Sequence, residues 1–222
     1  VSFTLNPGEK LGIVGAVGSG KSSLFDALSR LYDVSEGTIR IGGIPLQQFR
    51  LEELRKLIGI VPQNPFLFSD TLANNIRFGK QEATQEEIEN AAQMANVHQN
   101  IIDFSDGYDT LLGERGVTLS GGQIQRVSIA RALIKNPEIL LLDDCLSAVD
   151  TDTEENILNN LKQIRAEKTT LIVSHRLTSV LDADHIIVLD QGKIVEEGSH
   201  QSLLKSKGYY FDLFQKQQTE NA

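Results

Sequence analysis

The chain has 222 residues, 40% of them hydrophobic, and a formal net charge of −9 at neutral pH. That length suits one large domain or two small ones with a substantial core, and the acidic balance argues against a broad basic footprint for nucleic acid. No run approaches the ~18 consecutive apolar residues of a spanning helix, no signal-peptide pattern opens the chain, and a single cysteine, Cys145, rules out an internal disulfide framework.

Taken in order, residues 2–5 read as a strand, Asn6-Pro7-Gly8-Glu9 as a turn and residues 10–14 (KLGIV) as a short buried strand, which predicts a hairpin-like start. Val1 falls inside what reads as a strand, so the chain is expected to be a piece of something longer. Residues 22–31 carry Leu24, Phe25, Leu28 and Leu31 at helical spacing. Residues 37–43 read as a short strand between glycine turns, 51–57 as a helix, and 58–61 as a strand ending at Pro62-Gln63.

From Asn64 the texture changes to polar helical stretches at 72–76 and 85–95, with no good strand before Ile139. An interruption of an alternating strand and helix pattern predicts an inserted helical subdomain over 64–137, within a core formed by 1–63 and 138–222. The core resumes at Ile139-Leu140-Leu141-Leu142, a continuously apolar run of the kind buried on both faces of a parallel sheet. A helix is predicted over 152–166, strands over 169–174, 185–189 and 193–196 with a Gln191-Gly192 turn, and closing helices over 200–205 and 209–217. Cys145 reads as a small core residue, Phe66 and Phe68 as packing residues, and His98, His185 and His200 as histidines of no special role.

Chemistry concentrates first in Gly15-Ala16-Val17-Gly18-Ser19-Gly20-Lys21-Ser22, which fits the phosphate-loop pattern GxxxxGK[ST]. Backbone N–H groups can wrap a polyphosphate only where side chains do not block the approach, hence the three glycines. Lys21 then reaches the terminal phosphates, and Ser22 offers a hydroxyl to Mg²⁺. The strand before and helix after complete an anion site, since the helix N-terminus presents its unpaired N–H groups to the phosphate; Ser23 extends the set.

Five further stretches follow. Gln63 ends one strand; Leu119-Ser120-Gly121-Gly122-Gln123 opens a helix; Asp143 and Asp144 end the apolar strand, where a carboxylate can hold Mg²⁺. Ser147-Ala148-Val149-Asp150 comes next, and Ser174-His175 ends the following strand. Ser120 with Gln123 three residues on could be a plain capping box. Two glycines in a first helical turn would then cost up to ~1 kcal/mol each against Ala, so close approach of a ligand explains them better.

This order of motifs resembles the nucleotide-binding domain of ABC transporters over nearly the whole chain, and six spaced motifs agree. Leu67-Phe68-Ser69 with Thr71 and Asn75-Ile76, and Gly113-Glu114-Arg115-Gly116 before LSGGQ, resemble the exporter branch. The resemblance implies an α/β P-loop NTPase core: a mostly parallel sheet with flanking helices, a small antiparallel β part at the N-terminus, and an inserted helical subdomain. It implies ATP and Mg²⁺ as ligands, with residues 15–23 on the phosphates and Ser22, Asp143 and Gln63 at the metal. Asp144 would stand in for the water-orienting carboxylate, and His175 would hydrogen-bond the γ-phosphate. Ser120, Gly122 and Gln123 would face the nucleotide of a second domain in a head-to-tail dimer, with Asp150 contacting that partner. Transmembrane domains fused upstream would hold the assembly at the cytoplasmic face of a membrane, near Phe66 and Phe68, and the adenine-stacking aromatic would lie before Val1.

One departure matters. Active members of the family it resembles usually carry Glu where Asp144 stands, and a side chain one methylene shorter withdraws its carboxylate by roughly 1.5 Å. This predicts tight ATP binding with slow hydrolysis, as in the weakened half of a heterodimeric exporter; retention of His175 keeps a slow homodimer open. Rival readings are a non-hydrolysing regulatory nucleotide module, favoured by Asp144, and a nucleic-acid ABC ATPase, disfavoured by the acidic balance. A GTPase finds no NKxD motif to support it.

Overall fold

A computed structural model describes residues 1–113, 116–165 and 167–220. Glu114 and Arg115 of the exporter-like stretch, and Ala166 at the end of a predicted helix, lie outside the described residues. The chain forms two compact units, one of Val1–Ile60, Glu138–Asp144 and Glu167–Ala222, the other of Val61–Pro137 and Cys145–Ala166.

In the first unit, β1 (Lys10–Gly15) leads into α1 (Lys21–Leu28). β2 (Arg40–Ile41) and β3 (Ile44–Pro45) form a small antiparallel hairpin whose two turn residues, Gly42 and Gly43, both have positive φ. That geometry matches the twist of paired strands and favours glycine. α2 (Leu51–Leu57) and β4 (Ile58–Val61) follow. β5 (Ile139–Asp143), β6 (Thr169–Val173), β7 (His185–Asp190) and β8 (Lys193–Gly198) complete a six-stranded sheet in the order β4-β5-β6-β1-β7-β8. β1 pairs parallel with β6 and β7, β5 pairs parallel with β6, and β8 runs antiparallel to β7. The mostly parallel α/β sheet and the small antiparallel part agree with the fold expected.

Alternation builds the core. Leu11 and Ile13 of β1, Leu171 and Val173 of β6, and Ile187 and Leu189 of β7 share a face with Leu141, Phe25 of α1, Leu46, Leu54 and Ile58. Phe3 and Leu5 pack on the same cluster, yet residues 1–9 form no strand, so the hairpin-like start is not realised. α1 is also shorter than predicted, stopping at Leu28 with Leu31 exposed. Arg30 turns left-handed at φ 53, and the N–H groups of Arg30 and Leu31 fold back onto the Ala27 and Asp26 carbonyls, a closing motif that leaves no room for another helical turn. α8 (His200–Ser206) and α9 (Tyr209–Glu220) end the unit.

The second unit holds α3 (Leu72–Arg77), α4 (Gln85–Met94), α5 (His98–Ile102), α6 (Gly121–Leu133) and α7 (Thr151–Ile164). α5 went unread in the sequence because five residues carry too little periodicity. Cys145 is buried, as its reading required. Phe66 corrects its reading: it is 68% exposed, and Phe68 is also exposed. Their rings meet edge to face, and the Arg131 guanidinium lies over Phe68 and Phe78. Arg131 also donates to the Phe66 carbonyl and to the Asn75 backbone and side chain, which fixes this aromatic surface.

Because Ile13 is fully buried at the centre of the sheet, Ile13→Ala should cost about 2–5 kcal/mol. Urea unfolding should show a lower midpoint with an unchanged m-value.

Candidate functional site

The first unit gathers the phosphate-loop residues at the C-terminal ends of β1, β5 and β6, the edge where parallel sheets place ligands. Gly15 sits at φ 152, and a Cβ there would lie 2.1 Å from the Leu189 carbonyl oxygen, so β7 itself demands glycine. Gly18 and Gly20 also have positive φ, Gly20 as the residue preceding α1. The Ser19 carbonyl accepts a hydrogen bond from Gly192 N–H (2.9 Å), so the Gln191-Gly192 turn of the β7–β8 hairpin braces the loop. The sequence revealed that turn but not this use of it.

Lys21 is 5% exposed, and its Nζ donates to the Gly15 carbonyl (2.8 Å), the Ala16 carbonyl (2.7 Å) and Ser19 Oγ (3.4 Å). Burial pulls its pKa down, while Asp144 and Asp143 oppose that by favouring the charged form. Asp143, at the end of β5, accepts a hydrogen bond from the Ser22 hydroxyl. Burial pushes its pKa up, the Ser22 bond lowers it, and the neighbouring charges of Asp144 and Asp26 raise it further. Asp144 is buried and left-handed at φ 44; its N–H donates to the Val173 carbonyl, and Oδ1 accepts the His175 N–H at 3.1 Å. The His175 side chain is exposed beyond β6; Ala16, Val17, Gly18, Ser22 and Ser23 are exposed as well, while Ser19 is buried.

The remaining predicted residues stand in the second unit. Gln63 is exposed two residues after β4. Ser120 caps α6: its Oγ accepts from Gln123 N–H (3.3 Å), and the Gln123 side chain accepts from Ser120 N–H (2.9 Å). The capping box is therefore real. Gly122 has a reason of its own within the chain, since a Cβ there would lie 2.8 Å from the Ala148 carbonyl oxygen. Close approach of the chain's own backbone thus accounts for that glycine beside the expected approach of a ligand. Gln125, missed in the sequence, is buried and ties the SAVD turn to α6, accepting from Ala148 N–H (3.0 Å) and donating to Ser147 Oγ (3.3 Å). Its offset from the motif carried no separate signal. Asp150 caps α7, accepting from Thr153 N–H (2.9 Å), and that bond holds its carboxyl below the usual range.

A family model described as "ABC transporter" matches residues 1–147. The chain belongs to the ABC transporter family. It is 52% identical over its whole length to the multidrug resistance-like ATP-binding protein MdlA of Escherichia coli K12, of which it covers 38%. It is 48% identical over 98% of its length to YheI of Bacillus subtilis, a probable multidrug resistance ABC transporter ATP-binding/permease protein, covering 37% of it. Against ATP-binding cassette sub-family B member 6 of Xenopus tropicalis it is 50% identical over 99% of its length and 26% of that protein. A solved bacterial Atm1-family ABC exporter with ATP bound matches at a TM-score of 0.92 and 44% identity, over 95% of this chain and 37% of that one. The chain thus spans between about a quarter and two-fifths of these relatives.

As an ABC domain of the exporter type the chain binds ATP. The donor set of the first unit suits the metal that accompanies such a nucleotide: a hydroxyl and a carboxylate already in contact are hard oxygen ligands of the kind Mg²⁺ takes. The raised Asp143 marks a half-buried negative charge that a cation would offset. An acid whose folded pKa is raised binds its proton more tightly folded than unfolded. Ionised Asp143 therefore opposes folding at neutral pH, and the penalty fades as pH falls through the folded pKa. Asp143→Asn should raise the melting temperature of the ligand-free chain at neutral pH, by an amount that shrinks in mild acid, while removing Mg²⁺-dependent nucleotide binding. Paired thermal melts across pH and nucleotide titrations with and without Mg²⁺ read both effects.

Proposed function

We propose that the chain hydrolyses Mg-ATP between two head-to-tail nucleotide-binding domains and so drives export of a substrate through transmembrane domains fused upstream, at the cytoplasmic face of a membrane. The observation that carries this reading is the meeting of Lys21, Ser22, Asp143, Asp144 and the His175 loop at one sheet edge. The printed names of the relatives, ATP-binding/permease protein and exporter, support the export half. In this reading residues 64–137 act as an inserted helical subdomain that presents LSGGQ to the partner's nucleotide.

The chemistry is in-line attack of water on the γ-phosphate, in which positioning and charge stabilisation do most of the catalysis. The N–H groups of residues 15–23 and the Lys21 ammonium hold the phosphates. Ser22 and Asp143, with Gln63, would hold Mg²⁺, which when bound neutralises charge on the β- and γ-phosphates. Asp144 orients the attacking water, and His175 hydrogen-bonds the γ-phosphate. Ser120, Gly122 and Gln123 close the partner's site.

Asp144 sets the rate. Its carboxylate is short, and one oxygen is engaged by the His175 N–H, so it meets the water at a disadvantage; a misplacement of about 1 Å can cost ~100-fold. This favours a slow site, either in a homodimer or as the weakened half of a heterodimer. A second reading, a non-hydrolysing regulatory module, draws on the same residue, and single-turnover ATP hydrolysis separates the two.

In the full-length protein, Asp144→Glu should raise kcat roughly tenfold or more with ATP affinity little changed. Lys21→Ala in the same assay should abolish nucleotide binding. Unchanged turnover with Glu at 144 would overturn the positional argument.

A further inference from the structure

His175 sits in a segment whose backbone is held from two sides. Its N–H donates to Asp144 Oδ1 at 3.1 Å, and its carbonyl accepts from Gln217 Nε2 at 2.6 Å. The same Gln217 amide accepts the Leu177 N–H at 2.9 Å, at the start of a single-turn 3₁₀ helix, Leu177–Val180. One side chain thus pairs with the C=O of one residue and the N–H of the residue two further on, as a neighbouring strand would. Arg176 N–H between them goes to Ser174 Oγ at 2.9 Å.

Gln217 reaches this loop because α9 is fixed at its other end. Both oxygens of Glu196, on β8, accept the first N–H groups of the helix, from Tyr209 (2.5 Å) and Tyr210 (3.0 Å). Gly208 leaves room for that carboxylate, since a Cβ there would lie 2.0 Å from Glu196 Oε1 and push it aside. Tyr210 is fully buried, its hydroxyl is 2.8 Å from His200 Nδ1, and Phe214 packs edge-on against the same imidazole. Tyr210, Phe214 and Gln217 follow i, i+4, i+7 spacing and share one face of the helix. An anchor at Tyr210 therefore sets Gln217 about 10 Å further along a rigid rod.

We propose that Gln217 is a positioning residue for His175, and that α9 is the strut through which the β8 and α8 end of the unit fixes the height of the His175 loop. The inference rests on the proposed role of His175 at the γ-phosphate. Gln217 touches no reacting atom. It holds the peptide on the C-terminal side of His175 while Asp144 holds the peptide on the other, so the imidazole and the water-orienting carboxylate keep a fixed spacing.

The test uses the full-length protein with Gln217→Met, which keeps the side-chain length and removes both hydrogen bonds, alongside His175→Ala and the double variant. Gln217→Met should lower kcat roughly tenfold with KM for ATP within about twofold of the parent, the split of a residue that acts on the reacting geometry. The Leu177 amide should exchange faster with solvent, and the melting temperature should hold. Added to His175→Ala, Gln217→Met should cost nothing more, because its effect runs through His175. Faster Leu177 exchange with unchanged kcat overturns the positioning inference and leaves His175 its role. A full additional loss in the double variant also overturns it. Parent-like turnover by His175→Ala overturns the role of His175, and the inference with it.

Discussion

The buried ammonium of Lys21 is the constraint on which the phosphate site depends. A lone charge at 5% exposure would be costly, and the chain meets that cost with its own loop: two carbonyls and a hydroxyl bind Nζ, and two carboxylates at the end of β5 supply opposite charge. Those carbonyls can turn inward only because the loop bends through positive φ at Gly15, Gly18 and Gly20. The loop in turn leans on the β7–β8 turn through Gly192. The charge, the glycines and the hairpin are one arrangement.

The second unit follows a different logic. There the LSGGQ helix and the SAVD turn are held together by neutral hydrogen bonds, with Gln125 spanning from buried α6 to Ser147 and Ala148. Gly122 lets the Ala148 carbonyl approach. The LSGGQ helix and the SAVD turn are thereby joined within one unit by contacts of their own. Ser120 and Gln123 spend their side chains on a capping box, which orders the first turn of α6 and fixes the direction in which its N–H groups point.

Local chemistry made much of this legible. The phosphate loop announces itself by glycine spacing with Lys21 and Ser22, and β5 by an unbroken apolar run ending in two carboxylates. α2 and β4 emerged at their observed bounds because Leu51 to Val61 changes period sharply from helix to strand. What stayed hidden depends on partners distant in sequence. The segment around Phe3 and Leu5 has strand-like alternation, which burial on the core also produces without strand pairing. Gln125 and Gln217 look like any polar helical residue until the turn or loop that each one holds is placed beside it. The exposure of Phe66 was legible only through the family resemblance, since an aromatic at a surface and one in a core are written alike.

Asp144 connects these strands of argument. At φ 44 its backbone turns sharply off the end of β5, and its N–H goes to the Val173 carbonyl. With so short a side chain, the carboxylate falls where the His175 N–H can reach it. The residue proposed to orient the water is therefore also a structural acceptor for the His175 loop. A carboxylate with two duties cannot be optimal at both: a hydrogen bond that holds it toward His175 also limits its reach toward water. The slow site we propose rests on side-chain length and on engagement together. Gln217 bears on that balance, because any shift of the His175 carbonyl is passed through the His175 Cα to the N–H that Asp144 Oδ1 accepts.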